Sequence, residues 1–194
     1  MKFLLATFIF LTFQSQSDSF SKDELLGKIE PSSHVDFVKI ESQFTSNSNT
    51  HLRKEAYAQF KLMYDAAKKD DVNLIVISAT RNFSYQKGIW ERKWKRTKYS
   101  GWNGLDKTKD ILQYSSMPGT SRHHWGTDLD FNNLNNPWFE KGEGKLMYDW
   151  LKECAADYGF YQTYTSKIDG RQGYEEEKWH WSYMPIASEM LQEY

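Results

Sequence analysis

The chain has 194 residues, a length that suits one domain with a sizeable hydrophobic core. Its formal net charge of −1 excludes a strong electrostatic attraction to nucleic acid or to an anionic membrane surface. Because the chain has a single cysteine, an internal disulfide is excluded, and any export must be inferred from other features.

The N-terminus has the pattern of a short signal peptide. Lys2 precedes an apolar run at residues 3–13 that is too short to span a bilayer, and residues 14–19 are small and polar. We therefore expect a signal peptide at residues 1–17 and export to the periplasm or the exterior of the cell envelope. The sequence leaves open whether this segment is cleaved; after cleavage we expect no stable membrane span.

The next part of the chain alternates between polar and apolar segments. Residues 18–49 are polar and are expected to be loosely ordered, whereas residues 52–69 repeat apolar side chains at helical spacing. A β-branched run at residues 72–79 predicts a buried strand, and residues 83–97 predict a second helix.

A local run of basic residues lies at the end of that second helix. We interpret it as a solvated helix face, with a surface for a polyanionic wall polymer as the alternative. The run consists of Arg92, Lys93, Lys95, Arg96 and Lys98.

The second half of the chain repeats the mixture of helices and strands. We expect helices at residues 106–115 and 144–158 and from Pro185 onward, and strands at residues 127–131, 159–164 and 179–183. No regular strand–helix–strand crossover appears in this order. The pattern favours an α+β fold, with one domain over residues 50–194 and a small antiparallel sheet flanked by helices.

Two short segments carry side chains that bind metals. In the first, a histidine at position 123 or 124 precedes Asp130; in the second, Glu177 stands three residues before His180. Two imidazoles and one carboxylate are a common catalytic zinc set, which leaves the fourth coordination position to water. A spare glutamate beside the last ligand suits a general base.

Spacing alone leaves two choices open. Successive side chains of an extended segment point to opposite sides, so only one of His123 and His124 is expected to face a metal. Likewise, the run Glu175-Glu176-Glu177 offers three carboxylates as the base.

Taken together, these segments resemble the signature of the VanY-type D-alanyl-D-alanine carboxypeptidases. This family belongs to a group of zinc peptidases that also includes lysostaphin-like enzymes and Hedgehog signalling domains. The resemblance covers roughly residues 50–185. It is carried by Ser121-x-His123-x-x-Gly126-x-Asp128-x-Asp130, by Glu177-x-Trp179-His180, and by a segment that contains Ser78, Arg81 and Gln86.

The resemblance implies a role for each of these residues. One zinc ion per chain would be held by His123, Asp130 and His180, with Glu177 as the base. Arg81 would stabilise the oxyanion of the transition state or clamp a terminal carboxylate. Contacts with the substrate would come from Ser121, Gln86, Ser78 and Trp179.

Asp128 departs from the family pattern, because many members carry alanine at this position. On a strand, Asp128 shares the face of Asp130. It would therefore either orient a ligand histidine or compete with Asp130 for the metal.

The function implied by the resemblance is hydrolysis of a peptide bond near the D-alanine end of a peptidoglycan stem peptide. The protein would be a monomeric carboxypeptidase, and its preference for a DD or an LD bond stays open. One alternative is an endopeptidase that cuts cell-wall crosslinks. Another is a catalytically silent, zinc-containing module that binds the wall, although such a module would need neither Glu177 nor Arg81.

Overall fold

The structure is a computed structural model that describes residues 20–194. The expected signal peptide lies outside the described residues. Of the helices in residues 20–194, none combines the length and the apolar character needed to cross a membrane.

The described part of the chain contains six α-helices and six short strands, which confirms the predicted α+β class. The predicted central helices and strands are present, with most boundaries moved by a few residues. The helices are α1 (Lys22–Leu25), α2 (Lys54–Lys69), α3 (Phe83–Trp94), α4 (Gly104–Leu112), α5 (Gly142–Cys154) and α6 (Met184–Glu193). The strands are β1 (Phe37–Lys39), β2 (His51–Arg53), β3 (Val76–Ser78), β4 (Asp128–Phe131), β5 (Phe160–Gln162) and β6 (His180–Tyr183).

A four-stranded antiparallel sheet with the order β3-β4-β6-β5 forms the centre of the molecule. In β4, Leu129 and Phe131 are fully buried in the hydrophobic core. The side chains of a strand alternate between its two faces, so Asp128 and Asp130 lie together on the opposite face. The same alternation holds in β6, where His180 pairs with Asp130. One face of the sheet is thus apolar, and the other collects buried polar groups.

Helix α2 covers the apolar face because its buried side chains recur at helical spacing. Ala56, Phe60, Met63 and Ala67 have no exposed surface, and the Phe60 ring stacks on Phe131 with the centroids 5.9 Å apart. Helix α2 therefore holds β4 in position from the apolar face of the sheet, opposite to Asp128 and Asp130.

Helix α3 is shorter than the predicted 83–97 and differs in character from α2. The chain leaves the α-helix after Trp94 and forms a 3-10 turn at Thr97–Tyr99. Among the residues of α3, Gln86 alone is fully buried. This helix therefore borders the cleft described below and contributes little to the core.

Residues 20–49 are packed against the domain, although their polar composition predicts loose order. β1 pairs with β2, and Phe37, Ile40 and Phe44 are buried. These three side chains are spaced i, i+3 and i+7, as on a helix, but the segment forms β1 and a turn, so their spacing does not predict the surface that they share. Glu24 adds an ion pair with Arg53, with 2.7 Å between the charged atoms.

Candidate metal centre

Three side chains that bind metals meet on the polar face of the sheet. His123 comes from a 3-10 turn at Arg122–Trp125, which runs into β4 through Gly126; Asp130 lies in β4, and His180 lies opposite it in β6. Each offers one ligand atom, and these atoms all lie within 4.8 Å of one another. All three residues are buried, so the cluster is shielded from bulk water.

The neighbouring histidines point in different directions. His123 Nδ1 donates to the carbonyl of Ala79 at 2.7 Å, which leaves Nε2 free to accept or to bind a cation. His124 instead joins two loops, because its Nδ1 donates to the Arg81 carbonyl and its Nε2 accepts from Gly119 N–H. Burial lowers the pKa of His124 to about 4, so this ring is neutral. The structure therefore places His123, and not His124, at the cluster.

Asp128 lies beside the cluster with both of its oxygens occupied. Oδ1 accepts from Ser182 and Thr127, while Oδ2 accepts from Arg122 Nε at 3.2 Å and His180 Nε2 at 2.8 Å. Burial would raise the pKa of Asp128, but Arg122 and His180 outweigh it and the pKa is lowered, so the group is a carboxylate. A carboxylate with four donors has no lone pair directed at the cluster, so Asp128 is placed to orient His180.

Asp128 also determines which nitrogen of His180 is available. Because Nε2–H donates to Asp128, the remaining Nδ1 faces Asp130 Oδ1 at 3.1 Å. Burial opposes a charge on His180, yet the two carboxylates raise its pKa to about 10. A positive charge is therefore stabilised between His180 Nδ1 and Asp130.

These observations fit a zinc ion. His123 Nε2 is a buried atom with no hydrogen-bond partner among the described residues, and it lies 3.4 Å from Asp130 Oδ2. Two imidazole nitrogens and one carboxylate, each fixed by a second hydrogen bond or a paired strand, are a donor set that zinc prefers. The set leaves a coordination position open.

Of the three consecutive glutamates, Glu177 alone lies at the cluster. Its Oε2 is 3.6 Å from His180 Nδ1, whereas Glu175 forms an ion pair with Lys167. Burial raises the pKa of Glu177 to about 7, although His180 opposes the shift. The segment that carries Glu177 is held by Asn136, whose side chain bonds to the backbone of Glu176 and Lys178.

Arg81 lies on the other side of Asp130. Its Nη2 is 3.8 Å from Asp130 Oδ2, and its Nε is buried without a hydrogen-bond partner among the described residues. The backbone N–H of Arg81 donates to the His123 carbonyl at 3.0 Å. The backbone of Arg81 is therefore held against the turn that carries His123, and Nε of its guanidinium is free to donate.

Two clefts of about 440 and 430 Å³ meet at Arg81 and Asp130. Ser78 borders the first cleft, and Trp179 and Glu177 border the second. A narrow space beside His123 and His180 is lined by Gln86 and Ser121. The four residues expected to contact substrate thus all line spaces that border the cluster.

Three further residues lie at the site but are not predicted to do so from the sequence. Arg122 donates a hydrogen bond to Asp128. It lies inside the motif, next to His123, and this position is the feature of the sequence that indicates a place at the site. The Tyr164 ring lies 4.7 Å from the His180 ring, and Lys93 borders the second cleft. The sequence around Tyr164 does not indicate that this residue lies at the site, because the loop that follows it has no periodic pattern.

A buried site with two imidazoles, one carboxylate and an adjacent glutamate is typical of mononuclear zinc peptidases. Residues 49–186 match the family model VanY, D-alanyl-D-alanine carboxypeptidase, and the chain belongs to this family.

The chain is similar to several known proteins in sequence or in fold. The putative carboxypeptidase YodJ of Bacillus subtilis (strain 168) is 30% identical over 82% of this chain and 56% of its own length. The chain spans about half the length of the curated relatives that it matches. The LD-carboxypeptidase LdcB has a structure with a TM-score of 0.62 and 26% identity, over 86% of this chain and 76% of that chain. A mutant of the D,D-pentapeptidase VanY, solved with Zn(II), gives a TM-score of 0.61 at 24% identity, over 79% and 88%.

Proposed function

We propose that this protein is a zinc-dependent carboxypeptidase that removes the C-terminal D-alanine from peptidoglycan stem peptides. The observation that carries the proposal is Glu177, a buried carboxylate beside a cluster in which His123 Nε2 has no hydrogen-bond partner among residues 20–194. Membership of the VanY family supplies the substrate class. We further propose that the protein acts outside the cytoplasmic membrane, where this substrate lies, and that residues 1–17 direct it there.

His123, Asp130 and His180 would hold the zinc ion, which when bound would supply a Lewis acid for the scissile carbonyl and for water. Glu177 would take a proton from the attacking water and return it to the nitrogen of the leaving D-alanine as the C–N bond breaks. Burial raises the pKa of Glu177 above that of an ordinary glutamate, and a raised pKa suits a group that first accepts and then returns a proton.

Arg81 would stabilise the negative charge that develops on the carbonyl oxygen. Its Nε has no hydrogen-bond partner among the described residues, so it can donate to this oxygen without breaking an existing hydrogen bond. Ser121 and Gln86, which line the narrow space beside both histidines, would position the peptide. Trp179 would form an apolar wall of the cleft that contains Glu177.

The test is mass spectrometry of a muramyl pentapeptide after incubation with the zinc-loaded protein, with the Glu177→Ala variant as the control. We expect loss of one alanine, and a turnover number about 10²- to 10⁴-fold lower in the variant because it lacks the base. Zinc content should be equal in the two proteins. Full activity in Glu177→Ala would remove Glu177 from the mechanism.

The same assay separates the alternatives. Cleavage of a tetrapeptide in preference to the pentapeptide would assign LD specificity, and cleavage of crosslinked peptides alone would make the protein an endopeptidase. Zinc binding without cleavage of any of these substrates would favour the wall-binding module.

A further inference from the structure

Lys93 does not belong to a solvated face, in contrast to the interpretation of the basic run. Arg92, Lys95, Arg96 and Lys98 are exposed, whereas Lys93 is half-buried and lines the cleft that contains Glu177. Its Nζ donates to the hydroxyl of Ser115, which is itself buried. The one lysine of the run that points inward thus ends beside the metal centre.

The position of Lys93 follows from the geometry of α3. Gln86, Ile89 and Lys93 are spaced i, i+3 and i+7, so they share one helix face. Gln86 lines the space beside the histidines, and Ile89 lines both larger clefts. This face of α3 is therefore one wall of the cleft, and Lys93 is its charged end.

The ammonium group of Lys93 lacks an anionic partner in residues 20–194. The ion pairs nearby join Glu177 to His180 and Arg81 to Asp130, and neither includes Lys93; the negative charge of Glu177 acts on Lys93 only from beyond ion-pairing distance. A partly buried cation without a counter-ion is unfavourable, and a bound anion removes that cost. Burial accordingly lowers the pKa of Lys93.

Ser115 makes the arrangement suitable for a carboxylate. Its oxygen accepts from Lys93, so its own O–H proton stays available as a donor into the same cleft. An ammonium and a hydroxyl side by side match the two oxygens of a carboxylate.

We propose that Lys93 and Ser115 form a subsite for a carboxylate of the peptide substrate. The subsite rests on the proposed function for the identity of the substrate. Two carboxylates share this chemistry: the C-terminal α-carboxylate, and a carboxylate carried elsewhere on the stem peptide. Recognition of the first would make the enzyme require a free C-terminus.

The test compares wild type and Lys93→Gln on three pentapeptides: the free acid, its C-terminal carboxamide, and the free acid with its other carboxylates amidated. Lys95→Gln, an exposed change of the same charge at the C-cap of α3, is the control. We expect Lys93→Gln to lower kcat/KM for the free acid about 10- to 100-fold, mainly through KM, as for loss of a hydrogen bond to a charged group. For the peptide that lacks the recognised carboxylate, wild type and Lys93→Gln should be equal. Lys93→Arg should restore part of the loss.

The amidated peptide on which Lys93→Gln has no effect identifies the source of the carboxylate. An equal loss on all three peptides, or no loss at all, would overturn the proposal. Equilibrium binding of the same peptides to the zinc-loaded Glu177→Ala protein, with and without Lys93→Gln, gives a second readout that needs no hydrolysis. If wild type cleaves nothing, the proposed function fails, and the binding difference between acid and amide still decides the role of Lys93.

Discussion

Asp128 and Asp130 stand two residues apart on one face of β4, and their surroundings give them different tasks. Asp128 accepts from four donors, two of them the side chains of Arg122 and His180. Asp130 meets His180 through one oxygen and lies near His123 and Arg81 through the other. Both residues are aspartates on the same strand face, so their surroundings alone distinguish Asp128, the proposed orienting group, from Asp130, the proposed ligand.

At the scale of residues we predict that Asp128→Asn weakens zinc binding about 10- to 100-fold. The amide retains the volume and its oxygen can still accept from His180, but the group is neutral, so the hydrogen bonds from His180 and Arg122 weaken and the His180 ring is held less firmly. Competition with a chromogenic chelator measures the affinity. Asp65→Asn, on the exposed side of α2, is the control, and an unchanged affinity in Asp128→Asn would contradict the orienting role.

The turn between His123 and β4 depends on a glycine. Gly126 has φ of +73°, and a Cβ added there would lie 2.2 Å from Cε1 of Phe37. The Gly126 carbonyl also accepts from the backbone N–H of Arg53 at 2.9 Å. The N-terminal hairpin β1–β2 therefore packs directly on the turn that presents His123.

At the scale of elements we predict that Gly126→Ala destabilises the protein by about 2–5 kcal/mol, the sum of left-handed strain and overpacking. Gly170→Ala is the matched control, because φ there is +82° and nothing lies within 4 Å of the added Cβ. It should cost about 1–2 kcal/mol. Urea unfolding monitored by tryptophan fluorescence measures both, and equal losses would rule out the contact with Phe37.

The elements differ in how far the sequence predicts them. Helix α2 is predictable because its buried residues repeat at helical spacing, and β4 because polar and apolar residues alternate. The choice between His123 and His124 depends on carbonyls of Ala79 and Arg81, which are distant in sequence. The sequence predicts a solvated Lys93 because charge runs are usually exposed. Its partner Ser115 lies in the loop after α4, 22 residues away in sequence.

The three proposed zinc ligands come from a turn and two strands, so a bound ion would link parts of the chain that are far apart in sequence. With free zinc near 100 times Kd, we predict a Tm about 5–10 °C higher than that of the same protein after a chelator has removed the zinc. Binding of zinc to the native state stabilises it by about 2.7 kcal/mol at this ratio. The Tm of a chain of this size rises by about 2–4 °C for each kcal/mol of stabilisation. His180→Ala should show no response to zinc, and a response equal to that of wild type would place the ion elsewhere.

The pairing of Asp130 with His180 across β4 and β6 also has a consequence for the order of events during folding. The two residues are 50 apart in sequence, so a long loop must close before they meet. A fragment that ends before β6 carries two of the three proposed ligands and would compete poorly for the ion. Capture of zinc would then follow the pairing of these strands, and the ion would prolong the lifetime of the native state without accelerating its formation.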